Sequence, residues 1–433
     1  MKVKLKPNSY ALLSLVLIFN FIFPTFNFYF DDKASTGSII LNSILLLLSI
    51  GLMLLKNTIY DGKVFRSSVI FFGLFSMVIS LSILFNLKDF IIRDLFELHR
   101  PVFYASAFLL PQFFFWDRKK IEKHIFLPVM IVLIYEILLG IAALNKTETI
   151  KYFLSLYTKN HNVISGRATG TFVNPYDYAY MMVFFATCSI YLFIKTKKLI
   201  YLIKSILSIY VTLISQSRTG FIILLLALIY LMIFLIVSNK NMSVKFKMLI
   251  MSTFLITAIL TAFGTIERLL KENYPYLYSG LYSLINKDIS EVSSFNARLE
   301  QLIWALNEFS KSPVTVIIGN GPGKGIREYL EMQYIVYFYR YGTIGLFVCI
   351  VYLFYGVYIT SRAYFYSRKK EYGVKTEALW IGLNCLAVVT PIASMSNNFI
   401  DQIRISYFLF FMMGLATAVT RQDDIVKPGI IKN

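Results

Sequence analysis

Apolar runs of about twenty residues recur along the whole chain, separated by mostly short polar gaps. Such runs predict helices that cross a membrane, because only helices and closed barrels satisfy their own backbone hydrogen bonds in lipid. A barrel would show short strands of alternating polarity, whereas these runs are continuous. With 57% hydrophobic and 15% charged residues, the chain is also too apolar for a soluble protein of 433 residues. We therefore expect a single all-α membrane domain over residues 1–433.

The apolar runs predict about twelve spans. The first run, from Ser9 to Phe30, is long enough to cross a membrane and lacks the small-residue cleavage site of a signal peptide. All three cysteines lie inside apolar runs, which predicts neither disulfides nor a thiolate metal site. The predicted spans are 9–30, 37–55, 67–87, 101–116, 124–144, 173–194, 199–215, 219–238, 246–264, 332–358, 377–396 and 402–420.

Basic residues are concentrated in alternate gaps. If Lys2, Lys4 and Lys6 are cytoplasmic, every gap on their side is short and strongly basic, as the positive-inside rule requires. The net charge of +19 therefore needs no nucleic-acid partner, and both termini are expected in the cytoplasm. Two long polar gaps, 145–172 and 265–331, then face the outer side, where long loops commonly bind or react with a ligand.

Five arginines lie at or near the predicted outer ends of helices, where positive charge runs against the positive-inside rule. Free N–H groups and the helix dipole at these ends favour an anion, and guanidinium groups bind phosphate bidentately. Each arginine alone is also compatible with lipid headgroups or with an acidic neighbour such as Asp177, Glu300 or Asp401. As a set they predict a site for a diphosphate-bearing lipid. The five are Arg100, Arg167, Arg218, Arg340 and Arg404.

Short motifs around these arginines follow one another in a recognisable order. They read RATGTFVNP (167–175), SQSRTG (215–220), RLEQLIW (298–304), a proline at 313, GNGPG (319–323) and GTIG (342–345). RLEQLIW belongs to an amphipathic run in the longer polar gap. In order and spacing, this series resembles the O-antigen ligase/polymerase superfamily over about 160–350.

The resemblance implies a GT-C-like fold with a large periplasmic loop between helices 9 and 10, here 265–331. It implies a multi-pass enzyme of the bacterial inner membrane that joins polysaccharide repeat units at its periplasmic face. Donor and acceptor would be oligosaccharides on undecaprenyl diphosphate, without a metal or another cofactor. Membrane lipids, a chain-length regulator and a flippase would be partners. A tyrosine-rich run in the loop, 274–282, suits the membrane interface or a sugar face.

The sequence departs from the ligase pattern at one position. Ligases of this superfamily carry a histidine at the end of the large loop, where this chain has Glu331. The resemblance therefore favours a polymerase, and a ligase that transfers the polymer to lipid A core is the alternative within the superfamily. A flippase or another transporter is the alternative outside it. Few ionisable residues lie mid-span, with Glu136 the main exception, which favours surface chemistry over transport.

A metal-free transfer needs arginines to stabilise the charge that develops on the leaving diphosphate. Arg218 is the first candidate, because the dipole of its helix adds to its charge, and Ser217 or its neighbour Ser215 is expected to cap that helix. Arg298 is the second candidate, and its structural alternative is an ion pair with a nearby glutamate such as Glu300.

A general base must deprotonate the acceptor hydroxyl, and Glu331 is the candidate because it lies at the mouth of the tenth predicted span. Its rivals are Asp177, His161 and Glu300. The Gly-rich turn lacks the spacing of a nucleotide-binding P-loop and is expected to let backbone approach a lipid or sugar. The predicted substrate contacts are Arg167, Arg404, Arg340, Ser217, Asp177, His161, Gly321 and Gly323.

Overall fold

The computed structural model describes residues 9–26, 34–56, 62–145, 147–238, 267–268, 271–285, 293–309, 312–323 and 330–425. Within these ranges all regular secondary structure is helical. The α-helices are α1 (Ser9–Ile22), α2 (Ala34–Lys56), α3 (Gly62–Phe85), α4 (His99–Leu109), α5 (Arg118–Ala142, with a π-helical turn at Glu122–Phe126), α6 (Glu148–Ser155), α7 (Asn160–Ile164), α8 (Pro175–Thr196), α9 (Leu199–Ile214), α10 (Arg218–Ser238), α11 (Pro275–Ile285), α12 (Ser293–Phe309), α13 (Pro313–Ile318), α14 (Gln333–Lys369), α15 (Val374–Ala393) and α16 (Ile403–Ile425).

Eight helices in the described ranges, α2, α3, α5, α8, α10, α14, α15 and α16, are long and apolar enough to cross a membrane. The shorter apolar helices α1 and α9 have 14 and 16 residues. The predicted fourth span, 101–116, is an 11-residue α4 followed by a 3-10 turn, because Pro111 has no N–H to continue the helix. The predicted ninth span, 246–264, lies outside the described residues. The chain is thus an all-α, polytopic membrane protein.

The bundle has two ends, and a contact between distant parts of the chain marks each of them. At one end, which we call the lysine end, Tyr10 Oη donates to the Phe115 carbonyl at 2.6 Å. At the other, which we call the loop end, Arg298 Nη2 donates to Asn397 Oδ1 at 3.3 Å. Contacts at each end thus join parts of the chain that are distant in sequence. Which side of the membrane each end faces stays a prediction.

The centre of the bundle is formed by α8, α15 and α16, the most completely buried of the long apolar helices. α8 packs against α9, α10 and α15, whereas α16 packs against α4 and α14. Gly414 on α16 lies so close to α4 that an added Cβ would approach the Phe108 carbonyl oxygen to 2.0 Å. Small residues at such crossings let helix backbones meet. The outer helices α2, α3 and α10 present mainly apolar, exposed side chains, as lipid contact requires.

The long helix α14 is broken at Gly342, where φ is 65° and ψ is −160°. Such a break frees backbone carbonyls, which must find other partners inside a membrane protein. Ser82 Oγ donates to the Arg340 carbonyl at 2.5 Å, and the Asn320 N–H donates to the Tyr339 carbonyl at 2.8 Å. The end of α3 and the turn after α13 therefore donate hydrogen bonds to the carbonyls that the break frees. These bonds fix the backbone of α14 near Arg340.

Candidate functional site

α10 begins at Arg218 after a capped turn. Gln216 has a left-handed backbone with φ of 52°, and Ser217 Oγ accepts a hydrogen bond from the Gly220 N–H at 3.0 Å. Ser217 is therefore the capping residue, one of the two that the sequence predicts. Ser215 Oγ supports the turn by accepting from the Ser217 N–H at 3.2 Å. The cap places Arg218 in the first turn of the helix, where the helix dipole favours an anion.

Arg167 and Arg218 lie over the same aromatic ring, that of Tyr276 on α11. Their guanidinium carbons are 4.8 and 4.3 Å from the ring centroid, within the range of cation–π attraction. Arg218 also donates from Nε to the Tyr276 carbonyl at 3.2 Å and from Nη2 to Ser279 Oγ at 3.3 Å. Arg167 Nε donates to the Ser215 carbonyl at 3.2 Å. We call Arg167 and Arg218 the arginine pair, and the ring of Tyr276 its platform.

The charges of the arginine pair favour a bound anion. Burial lowers the pKa of Arg167, Tyr276 partly opposes this change, and the charge of Arg218 lowers the pKa further. Arginine nevertheless stays protonated in proteins, so two positive charges lie side by side. Among the described residues, no carboxylate forms an ion pair with either guanidinium.

The loop that carries Arg167 is held by Glu136 on α5. The Glu136 carboxylate accepts hydrogen bonds from the Thr171 N–H at 3.0 Å and from Thr171 Oγ1 at 2.5 Å. Gly170 lies against the same carboxylate, where an added Cβ would approach Oε2 to 2.1 Å. Glu136, the mid-span exception in the sequence, thus positions the RATGTF segment.

A second group of contacts joins Arg298 on α12 to the start of α14. Arg298 Nη2 lies 2.9 Å from Glu331 Oε2 and 3.3 Å from Asn397 Oδ1. Asn397 Nδ2 donates to Thr219 Oγ1 at 3.5 Å, and Thr219 follows Arg218 in α10. The three predicted catalytic residues therefore belong to one connected group at the loop end of the bundle.

The four candidate bases differ in their surroundings. The Glu331 side chain is 46% exposed, contacts Arg298, and is anchored by its backbone N–H, which donates to Gln301 Oε1. Asp177 is buried and accepts from Asn174 Nδ2 at 3.1 Å. His161 lies exposed on the five-residue α7, and Glu300 lies exposed on α12. Among these four, the described contacts place only Glu331 against an arginine of the group.

Arg100 and Arg340 lie in a separate cluster that contains two carboxylates. Arg100 contacts Glu97 Oε2 at 2.7 Å and Asp401 Oδ2 at 2.5 Å, while Arg340 Nη1 lies 3.5 Å from Glu97 Oε1. Tyr341 Oη donates to Glu97 at 2.8 Å. The cluster therefore contains two carboxylates and two guanidinium groups, so the positive charges have negative partners. Arg340 would have to exchange Glu97 for a substrate anion to act as the substrate contact that the sequence predicts.

Arg404 caps the C-terminus of α1. Its Nη1 donates to the carbonyls of Asn20 and Phe21, and its Nη2 donates to the Phe23 carbonyl, all at 2.6 Å. The last carbonyls of a helix have no partners within the helix, and the negative end of its dipole attracts a cation. The structure therefore gives Arg404 a structural contact, and its role toward a substrate stays a prediction.

Gly321 and Gly323 form a turn that packs against α3 and α14. Their φ angles, 74° and 59°, are left-handed. Asn86 Nδ2 donates to the carbonyl of Gly319, at the start of this turn, at 3.1 Å. An added Cβ on Gly323 would lie 3.1 Å from the Tyr339 ring. In its described part the turn therefore meets protein, whereas the sequence predicts approach to a lipid or sugar. Residues 324–329 lie outside the described ranges.

Three residues that contact the arginines were not predicted from the sequence as site residues. They are Tyr276, Asn397 and Glu97. For Tyr276, the available signal is the tyrosine-rich run inside the longest polar gap. Asn397 lies in the polar stretch SNNFID between two predicted spans. Glu97 precedes Arg100 by three residues, a spacing that brings side chains together on a helix.

The described residues define a class: a polytopic helical membrane protein with an arginine-rich site at one end of its bundle. Neither a protein-family model nor a curated protein matches the chain. Across the described ranges, no group of three His, Cys, Asp or Glu side chains is placed to hold a metal ion. The arginine pair can hold a polyanion, and Glu331 beside Arg298 can accept a proton. Together these groups suit transfer of a group from a diphosphate.

Proposed function

We propose that this protein is a bacterial O-antigen polymerase or a close functional equivalent. It joins oligosaccharide repeat units carried on undecaprenyl diphosphate, transferring the growing chain to an incoming unit. The observation that carries the proposal is the arginine pair on Tyr276. Asn397 links it to the Arg298–Glu331 ion pair, because it contacts Arg298 and also Thr219, the residue after Arg218. The order of the sequence motifs supports the same function.

The reaction forms one bond and breaks another. The acceptor hydroxyl oxygen attacks the anomeric carbon of the donor sugar, and the bond from that carbon to the diphosphate breaks with its electron pair on the leaving group. Arg167 and Arg218 bind the diphosphate and stabilise its developing charge. Glu331 takes the hydroxyl proton. Attack from the face opposite the diphosphate inverts the anomeric configuration.

Arg298 has two roles in this proposal. Its Nη2 contacts the Glu331 carboxylate at 2.9 Å before the reaction. When Glu331 becomes protonated, that ion pair weakens, and the guanidinium is released toward the charge that has moved onto the diphosphate. One arginine thereby links proton transfer to departure of the leaving group.

The proposed orientation follows from the charge pattern. The loop end faces the periplasm, both termini lie in the cytoplasm, and the chain crosses the inner membrane about twelve times in a GT-C-like arrangement. Residues 265–331 then form the large periplasmic loop and 145–172 a second one. Membrane lipids surround the bundle, and a flippase and a chain-length regulator act with it.

Purified protein given lipid-linked repeat units, without metal or nucleotide, is expected to produce a ladder of polymers. Arg218→Ala should lower the rate by about 10²–10³-fold, because it removes a charge donor from the leaving group. Arg362→Ala, an exposed arginine at the lysine end, is the matched control and should leave the ladder unchanged.

Other outcomes point elsewhere. A normal ladder from Arg218→Ala contradicts the assignment of the site. Movement of the lipid-linked unit across vesicles without any ladder indicates a transporter. A product formed only when lipid A core is supplied indicates a ligase.

A further inference from the structure

The side of α12 that meets the bundle is not its most apolar side. Gln301 and Ala305 are buried there, and Gln301 Oε1 accepts a hydrogen bond from the Glu331 N–H at 2.9 Å. The ring centroid of Trp304 lies 4.9 Å from that of Tyr339 on α14. These contacts attach α12 to the start of α14.

The most apolar side of α12 points away from the bundle. Four large apolar residues recur there at helical spacing, and each of them is 43–51% exposed. We call these four residues, Phe295, Leu299, Ile303 and Leu306, the apolar stripe of α12. Exposed apolar patches mark contacts with a membrane, a ligand or another protein. The stripe therefore calls for a partner outside the bundle.

A third side of α12 is exposed and polar. Successive residues of an α-helix are turned by about 100° from one another, so Glu300 and Asn307 lie beside the stripe and not within it. Both are exposed, and within residues 295–308 Glu300 is the only exposed charged residue. Around its axis, α12 thus presents a side to the bundle, an apolar side and a polar side. A helix that lies in the surface of a membrane has this arrangement.

The next helix, α13, continues this apolar surface toward the spanning helices. Its Val314 and Ile317 are exposed, and α13 packs against both α3 and α14. Asn86 Nδ2 donates to the Gly319 carbonyl just after α13, and the neighbouring Phe85 is exposed at the end of α3. Both α3 and α14 are long and apolar enough to cross a membrane. The apolar surface of α12 and α13 therefore adjoins the part of the bundle that faces lipid.

We propose that α12 and α13 lie in the surface of the lipid bilayer at the loop end, with the apolar stripe among the acyl chains and Glu300 facing water. A soluble protein or a second copy of this chain would also cover the stripe. Neither would account for its position beside the exposed surface of α3 and α14. Because the stripe carries no charge, its insertion depends on apolar area and not on anionic headgroups. The bilayer then supports the helix that carries Arg298, which contacts Glu331.

The test locates single side chains by fluorescence in the full-length protein, reconstituted in phosphatidylcholine vesicles. A fluorophore is attached to Leu299→Cys on the stripe or to Glu300→Cys on the polar side, which is the matched control. The three native cysteines are buried, and wild type taken through the same labelling measures their background. A nitroxide near the headgroup end of the acyl chains should quench the fluorophore at 299, because interfacial helices lie about 5–10 Å into this region. Iodide on both sides of the vesicle membrane should quench it at least about 5-fold less at 299 than at 300.

A second set of variants tests whether the stripe causes the insertion. With the fluorophore on Ile303→Cys, the added changes Leu299→Gln and Leu306→Gln should remove nitroxide quenching and raise iodide quenching by at least about 3-fold. Glu300→Gln alters the polar side and should leave both signals unchanged, as should exchange of phosphatidylcholine for phosphatidylglycerol. The replaced side chains are exposed, so the melting temperature in detergent should stay that of wild type.

Four results would overturn the proposal. Equal iodide quenching at 299 and 300 would place the stripe in water. Shielding of 299 from both quenchers would assign the stripe to a second copy of the chain if light scattering gives a dimer, and to another part of the same chain if it gives a monomer. Nitroxide quenching that survives the two glutamine changes would mean that other contacts hold α12 at the membrane. None of these measurements uses the polymerase reaction, so their failure leaves the proposed function untouched.

Discussion

Replacing Tyr276 with leucine removes the ring that holds the arginine pair but keeps the other contacts of this helix. The Tyr276 carbonyl still accepts from Arg218 Nε, and Ser279 still accepts from Nη2. Tyr276 is 44% exposed, so a leucine there meets solvent and little of the core. The change therefore tests whether the platform prepares Arg167 and Arg218 for an anion.

The two cation–π contacts of Tyr276 set the size of the effect. At 4.8 and 4.3 Å, each guanidinium lies within 6 Å of the centroid, and such contacts contribute about 0.5–1 kcal/mol at exposed sites. Two of them contribute about 1–2 kcal/mol in total. Both cations lie on one ring and are therefore at most about 9 Å apart, where their repulsion in water is at least about 0.5 kcal/mol. The attraction to the ring offsets this repulsion.

We therefore expect Tyr276→Leu to weaken the binding of inorganic pyrophosphate by about 5–30-fold, measured by isothermal titration of the purified protein. Tyr276→Phe keeps the aromatic face and should bind within about 2-fold of wild type. Tyr282→Leu changes an exposed tyrosine on the same helix that lies against Tyr278 and should have no effect.

Two results would contradict the proposed role of the Tyr276 ring. Tyr276→Leu binding as tightly as wild type would show that the arginines need no ring. An equal loss in Tyr276→Leu and Tyr276→Phe would show that the hydroxyl matters and the aromatic face does not.

Two further changes test contacts that fix the bundle. Arg404→Met leaves three carbonyls at the end of α1 without their charged donor, so the free energy of unfolding should fall by about 3 kcal/mol or more; a thermal melt unchanged from wild type would contradict this role. Gly342→Ala places a Cβ 2.3 Å from the Ile317 carbonyl oxygen at a left-handed φ, so α13 should detach and become sensitive to limited proteolysis. Gly73→Ala, where a Cβ meets nothing within 4 Å, is its control, and equal protection of both variants would contradict the prediction.

The all-helical, membrane-spanning character of the chain is predictable from the sequence because its signals are local. Each apolar run and each basic gap can be recognised without knowing its neighbours. The departures have local causes that are harder to weigh, such as Pro111 ending α4 and Pro24 following α1. The break in α14 at Gly342 is different, because it depends on partners from α3 and from the turn after α13. A glycine in an apolar run does not indicate which segment will fill its break.

The environments of the five arginines could not be predicted from the sequence. All five have the same local signature, a positive charge at or near the predicted outer end of a helix. The structure gives them three different environments: Arg404 caps a helix, Arg100 and Arg340 meet carboxylates, and Arg167 and Arg218 stack on tyrosine. The environment depends on which distant side chain arrives, and contacts between remote parts of the chain leave no periodic pattern.

One short segment connects these environments. Between α15 and α16, Asn398 Nδ2 donates to Asp401 Oδ2 at 2.8 Å, and Asp401 holds Arg100 at 2.5 Å, so this part of the segment is fixed to the carboxylate cluster. The residue before, Asn397, contacts both Arg298 and Thr219. Glu97 and Asp401 thus pair with arginines of their own cluster, and Asp401 anchors the segment whose Asn397 contacts both α12 and α10. The described contacts of the arginine pair are instead with carbonyls, a hydroxyl and the Tyr276 ring, and uncompensated positive charge is the property that a diphosphate site requires.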